Sequence, residues 1–282
     1  EIADHAFYSA RSLVSLEIPD SVVTIGNYAF DGCSGLTSIT LSNTLTTIGD
    51  YAFYGSTLVT NIKLGKGILS IGAFAFSNLT SLETVTINSD LEIISECLFA
   101  NDALLKAANI SGIKVVEGGA FMNCTLLETI DLKDVTIIGM EAFSGCLGLT
   151  SVDLSSVKVL EAGAFLTCNN LTSVELKVVE RIEAQALSCI GVTEIKLPNT
   201  IEYIAPTAFY YNINMTKFTD VYGAETCDVN DYIKLDNGVL YTVTPNNKLT
   251  LSYTSVNEYY QCAFANHYYL RPQQHYEILN KD

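Results

Sequence analysis

The chain has no tryptophan, five prolines and three histidines in 282 residues. The histidines, His5, His267 and His275, sit near the two ends. No HExxH, GxSxG or GxxxxGK run occurs, so no zinc-protease helix, nucleophile elbow or phosphate cradle is written here. The expectation is a chain that is not an enzyme and needs no cofactor. Basic residues are scarce, 15 against 31 acidic ones, for a formal net charge of −16. That balance excludes nucleic acid, whose phosphates demand Lys and Arg, and it disfavours anionic lipid. No apolar run approaches the ~18 residues of a membrane-spanning helix. Eight cysteines are present, but no C-x-x-C, which argues against a zinc site.

What is present is a repeat. The stretch IGNYAF (Ile25 to Phe30) returns as IGDYAF (Ile48 to Phe53), IGAFAF (Ile71 to Phe76) and IGMEAF (Ile138 to Phe143). Its last position forms a column: Phe7, Phe30, Phe53, Phe76, Phe99, Phe121, Phe143, Phe165, Leu187 and Phe209. The step is 23 residues four times and then 22 residues five times. Such a period belongs to a solenoid, whose units each bury one face against the next. With 49% hydrophobic residues the chain can fill a continuous core.

Each coil divides into three. A strand of the form L-x-x-I-x-L comes first, as in LTSITL (Leu36 to Leu41) and LTSVDL (Leu149 to Leu154). A polar turn and a short apolar piece follow. The third part is the xxAF segment, often ending in Gly or Asn two residues after Phe (Gly32, Gly55, Asn78, Asn123, Gly145), which implies a one-turn helix closed at positive φ. The residue lost at the change of period falls in a turn, leaving the buried columns in frame. Cys33, Cys124, Cys146 and Cys168 share one column, so buried, reduced thiols are expected.

These motifs, with the F-x-G-C endings FDGC (Phe30 to Cys33) and FSGC (Phe143 to Cys146), resemble the BspA-like proteins and their treponemal-class leucine-rich repeats. The resemblance covers about residues 1 to 218, and the segment GVLY (Gly238 to Tyr241) is similar to an insert common in that family. It implies a right-handed leucine-rich solenoid, an arc of about ten coils, exported to a microbial cell surface and used in adhesion. No catalytic residues come with it.

The expected organisation is a repeat solenoid over residues 1–218, a β-hairpin insert over 219–256, and a degenerate repeat with a C-terminal cap over 257–282. Because residue 1 already lies inside a repeat, a fragment without its signal peptide is expected. Five sequons (Asn78, Asn109, Asn123, Asn170, Asn214) arise largely from the repeat pattern itself.

Two surface features are candidate sites. Asp131, Asp153 and Glu175 occupy one outward column in successive coils, with Glu128 beside them. That strip suits a hard cation such as Ca²⁺, a basic partner segment, or solvent alone. Tyr28, Tyr51 and Phe74 form an aromatic row that suits sugar rings or partial burial. The function expected is recognition of a protein partner at the cell surface, with a glycan-binding module or a structural spacer as alternatives.

Overall fold

The computed structural model describes residues 1–210 except 88, 89, 190 and 206, residues 212 and 214, and the backbone of seven strands further on. The chain forms a parallel β-solenoid. Its short strand recurs nine times, from Thr24–Ile25 to Tyr203–Ile204, which makes eight full turns; Ile2 adds an isolated parallel bridge to Ile25. Register is one repeat per step: Ile25 faces Ile48, Ile48 faces Ile71, and further along Leu160 faces both Ile138 and Ile182.

The long strands, such as Asn61–Leu64, Thr84–Ile87 and Ser151–Leu154, also stack in parallel. They alternate exposed and buried residues, as a sheet with one wet face must. Ile62, Val85 and Val152 point inward, while Ile39, Ile130 and Val174 are only partly covered. Between the two strand types runs the phenylalanine column. Phe30 through Phe165 are 0% exposed, with neighbouring rings stacked at 5.1 to 6.0 Å.

The xxAF segments are not one-turn helices, and no helix occurs among the described residues. The positive φ expected after Phe is present at Gly32, Gly55, Asn78, Asn123 and Gly145. A second left-handed residue stands two positions before Phe, at His5, Tyr28, Tyr51, Phe74, Cys97, Gly119, Glu141 and Gly163, and before Leu187 at Gln185. A left-handed residue every fourth position breaks any α-turn. The freed N–H groups bond instead to the following coil: Tyr28 N to Asp50 O at 2.8 Å, Phe30 N to Ala52 O at 2.7 Å, Gly32 N to Tyr54 O at 2.8 Å. The turns are a third ladder.

The Ile-Gly pair has a steric cause. A Cβ on Gly49 would lie 2.6 Å from the Asn27 nitrogen of the preceding coil. That close approach lets side-chain oxygens run up the stack: Asp4 Oδ1 accepts from Asn27 N, Asn27 Oδ1 from Asp50 N, and Asp50 Oδ1 from Ala73 N, at 2.7, 2.8 and 2.9 Å.

Beyond the coils, Val239–Thr242 pairs antiparallel with both Ile233–Asp236 and Thr250–Tyr253. Tyr259–Gln261, the expected start of a degenerate repeat, pairs antiparallel with Tyr268–Leu270. Tyr276–Leu279 lies antiparallel to the last short strand, Tyr203–Ile204. The Thr-Pro-Asn-Asn turn, the side chains of the expected C-terminal cap, His267, His275, Cys227 and Cys262 lie outside the described residues.

Candidate functional site

The acidic column is largely engaged within its own coils. Asp153 and Glu175 are in register on paired strands, but the ladder is interrupted between Thr129–Ile130 and Ser151–Leu154, beside Asp131. Period-2 geometry puts residues i and i+2 on one face, and Lys133 and Lys177 use it. Lys133 Nζ reaches Asp131 Oδ2 at 3.0 Å, and Lys177 Nζ reaches Glu175 Oε1 at 3.0 Å. The Lys133 N–H and ammonium hold Asp131 below the usual carboxylate range; the Ser155 hydroxyl and N–H do the same for Asp153. Glu128 is exposed nearby. Among the described residues no three His, Cys, Asp or Glu converge as metal ligands would.

The aromatic row is a four-ring stack. His5, Tyr28, Tyr51 and Phe74 lie 4.9, 4.9 and 4.7 Å apart, with planes within 12° of parallel. Stacked rings cover each other's faces and leave edges to solvent. Sugars pack on ring faces, so this geometry gives a glycan little to hold.

The buried thiols have a structural task. The column three residues after Phe donates S–H to the phenylalanine carbonyl of the preceding coil: Cys124 Sγ to Phe99 O, Cys146 Sγ to Phe121 O and Cys168 Sγ to Phe143 O, at 3.1, 3.1 and 3.0 Å. Cys189, two residues after Leu187, joins them through Phe165 O at 3.0 Å. All six described cysteines are buried and free, and burial pushes Cys124 and Cys146 well above the ordinary thiol range. Cys124, Cys146 and Cys168 should therefore resist a charged disulfide reagent in the folded protein. They should alkylate fully after unfolding without reductant; a protected pair in intact mass would contradict this.

A further surface lies on the short strands. Ile93, Val115, Ile137 and Val159 face outward in register over four coils. In register the column continues to the exposed Arg181 and then to Tyr203, which is buried (8% exposed), with the guanidinium 4.6 Å from the ring centre. Leu69 (65% exposed) lies beside Ile93. Sequence reasoning passed over this band. Its signal was the doublets Ile93-Ile94, Val115-Val116, Ile137-Ile138 and Val159-Leu160, in which both faces of the strand are apolar.

The repeat matches the BspA type leucine rich repeat region in six copies, over residues 1–128 and 114–230. The chain belongs to the BspA-type leucine-rich repeat family. Among solved structures, a leucine-rich repeat protein of Eubacterium ventriosum is 29% identical with a TM-score of 0.52, over 56% of this chain and 44% of its own. This BspA-type chain thus spans less than half of that protein. A pneumococcal vaccine antigen, PcpA, is 19% identical with a TM-score of 0.50, over 74% of this chain and 57% of its own, a likeness of fold alone. A leucine rich cell surface protein of Faecalibacterium prausnitzii is 20% identical with a TM-score of 0.42, over 77% and 62%. No curated protein matches this chain. Like others built on the BspA-type repeat, it has a leucine-rich repeat solenoid fold, which suits a binding or structural module.

Proposed function

We propose that this solenoid is a non-catalytic binding module at a microbial cell surface, which adheres to a protein partner through an outward face. The observation that carries the reading is the outward aliphatic column Ile93, Val115, Ile137, Val159, ending in the exposed Arg181. Ile93 is exposed and Val115, Ile137 and Val159 are half-buried; contiguous apolar surface that reaches solvent marks interaction sites, and Arg is prominent in the energetics of protein interfaces. The long-strand face, by contrast, offers Ser, Thr and carboxylates. A glycan-binding role would need the ring faces of Tyr28, Tyr51 and Phe74, which cover one another. A spacer would need no particular residue on either face.

Surface plasmon resonance against purified extracellular matrix proteins, beside a glycan array, tests this. At least one matrix protein should bind, and the double variant Val115→Thr, Ile137→Thr should weaken it tenfold or more with circular dichroism unchanged. Binding that ignores this variant but is lost with Tyr28→Ala and Tyr51→Ala would favour the glycan reading. No binding to either panel would favour the spacer.

A further inference from the structure

The short-strand ladder is continuous except at one step. Thr24–Ile25, Thr47–Ile48 and Ser70–Ile71 form one sheet, and Ile93–Ile94 begins the next. At the other steps a carbonyl accepts two N–H groups from the following coil. Thr46 O accepts from Leu69 and Ser70, Glu92 O from Lys114 and Val115, and Lys114 O from Thr136 and Ile137. Among the described residues, Leu69 O receives no such pair from Glu92 and Ile93. The Ser95 hydroxyl bonds Ile71 O where a main-chain N–H does so in other coils. The core registers the same opening, for Phe76 and Phe99 are 6.0 Å apart, the widest spacing in the column. The long strands Asn61–Leu64, Thr84–Ile87 and Ala107–Asn109 stay paired through this region, so the coils part on one side only.

The result is a notch of about 370 Å³. Leu69 and Ile93 give it an apolar wall, and Asp90, Glu92 and Glu117 give it three carboxylates. The nearby Lys114 turns to Asp134 at 3.8 Å, and no ion pair engages Asp90 or Glu92 among the described residues. An arginine or lysine matches both halves of this lining. Its methylene stem covers aliphatic surface while its charged head reaches carboxylates.

We propose that the notch docks an extended segment of the partner protein carrying an arginine or lysine between aliphatic residues. The long side chain enters the notch, its head meets the three carboxylates, and the segment's main chain faces the open Leu69 carbonyl in the manner of strand addition. This rests on the protein-binding reading above, since Ile93 belongs to both surfaces, and it names the chemistry of the partner.

The probe is the peptide acetyl-Val-Arg-Val-Arg-Val-amide, beside an analogue with citrulline, which is neutral and of similar shape, at both arginines. NMR titration of the whole chain should show shifts centred on Leu69 and Ile93 for the arginine peptide, with an affinity that falls as salt rises. The citrulline peptide, and the variant Glu92→Gln with Asp90→Asn, should each weaken binding at least tenfold, while Asp153→Asn on the other face should not. Equal binding of both peptides, shifts centred elsewhere, or no binding at millimolar peptide would overturn the proposal. If matrix-protein binding still depended on Val115 and Ile137 in that case, the notch alone would be lost and the binding module would stand.

Discussion

Phe143→Ala should destabilise the solenoid by about 3–5 kcal/mol, the usual loss for truncating a core phenylalanine. The ring is 0% exposed and sandwiched between Phe121 at 5.3 Å and Phe165 at 5.1 Å. Its main-chain bonds, N–H to Ala164 O and carbonyl from the Cys168 thiol, do not depend on the ring. The loss is therefore packing, and a solenoid has few ways to collapse around it because each coil touches only its neighbours. Phe7 supplies the control, since it stacks on Phe30 on one side only and is 45% exposed. Phe7→Ala should cost about 1 kcal/mol by the half-burial of its area. Urea unfolding followed by circular dichroism would compare them; equal costs would contradict a core centred on this column.

Asp102→Asn should stabilise the protein at neutral pH and leave it nearly unchanged in acid. Asp102 is 0% exposed in the column that holds cysteines in other coils; Oδ1 accepts the Leu79 N–H at 2.7 Å, and Oδ2 has no partner among the described residues. Burial raises its pKa well above the carboxylate range, opposed only by the Leu79 bond. A raised folded pKa means the folded state holds the proton more tightly than the unfolded chain. The associated stability is complete below the unfolded value, about 3.9, and is lost as pH rises towards the folded value. The gap between variant and wild type should open by about 1.4 kcal/mol per pH unit across that window. Asn212 shows that an amide fits, because its Oδ1 accepts the Cys189 N–H in the same column at 2.8 Å. Parallel pH dependence of the two proteins would contradict a buried, neutral Asp102.

The core columns were legible because a repeat puts the same residue type in the same environment many times over. The turn was not. Gly and Asn after Phe advertise positive φ and read as helix endings, whereas Tyr28, Tyr51, Phe74 and Cys97 adopt it without any such mark. The acidic strip was visible as a column, but its pairing with Lys133 and Lys177 depended on side chains folding back along their own strands. Asp102 sits three residues after Phe99, and aligning it with Cys33 and Ser56 exposes its burial. The notch had no sequence signature, because it is a mismatch between stacked coils and not a property of either one.

The turn ladder also has an electrical consequence. At every step its bonds run one way, from an N–H of one coil to a carbonyl of the next, as in His5 to Asn27, Tyr51 to Ala73, Glu141 to Ala162 and Gln185 to Thr207. Peptide dipoles aligned head to tail add and polarise one another. The turn face thus carries columns of aligned peptides, as an α-helix does, although no helix is present among the described residues. Their negative pole lies towards the first coil and their positive pole towards the last. Each added coil lengthens this dipole while the charge at its poles stays near that of the unpaired terminal groups, so a chain that evolves by gaining repeats keeps the same end preferences and moves them further apart.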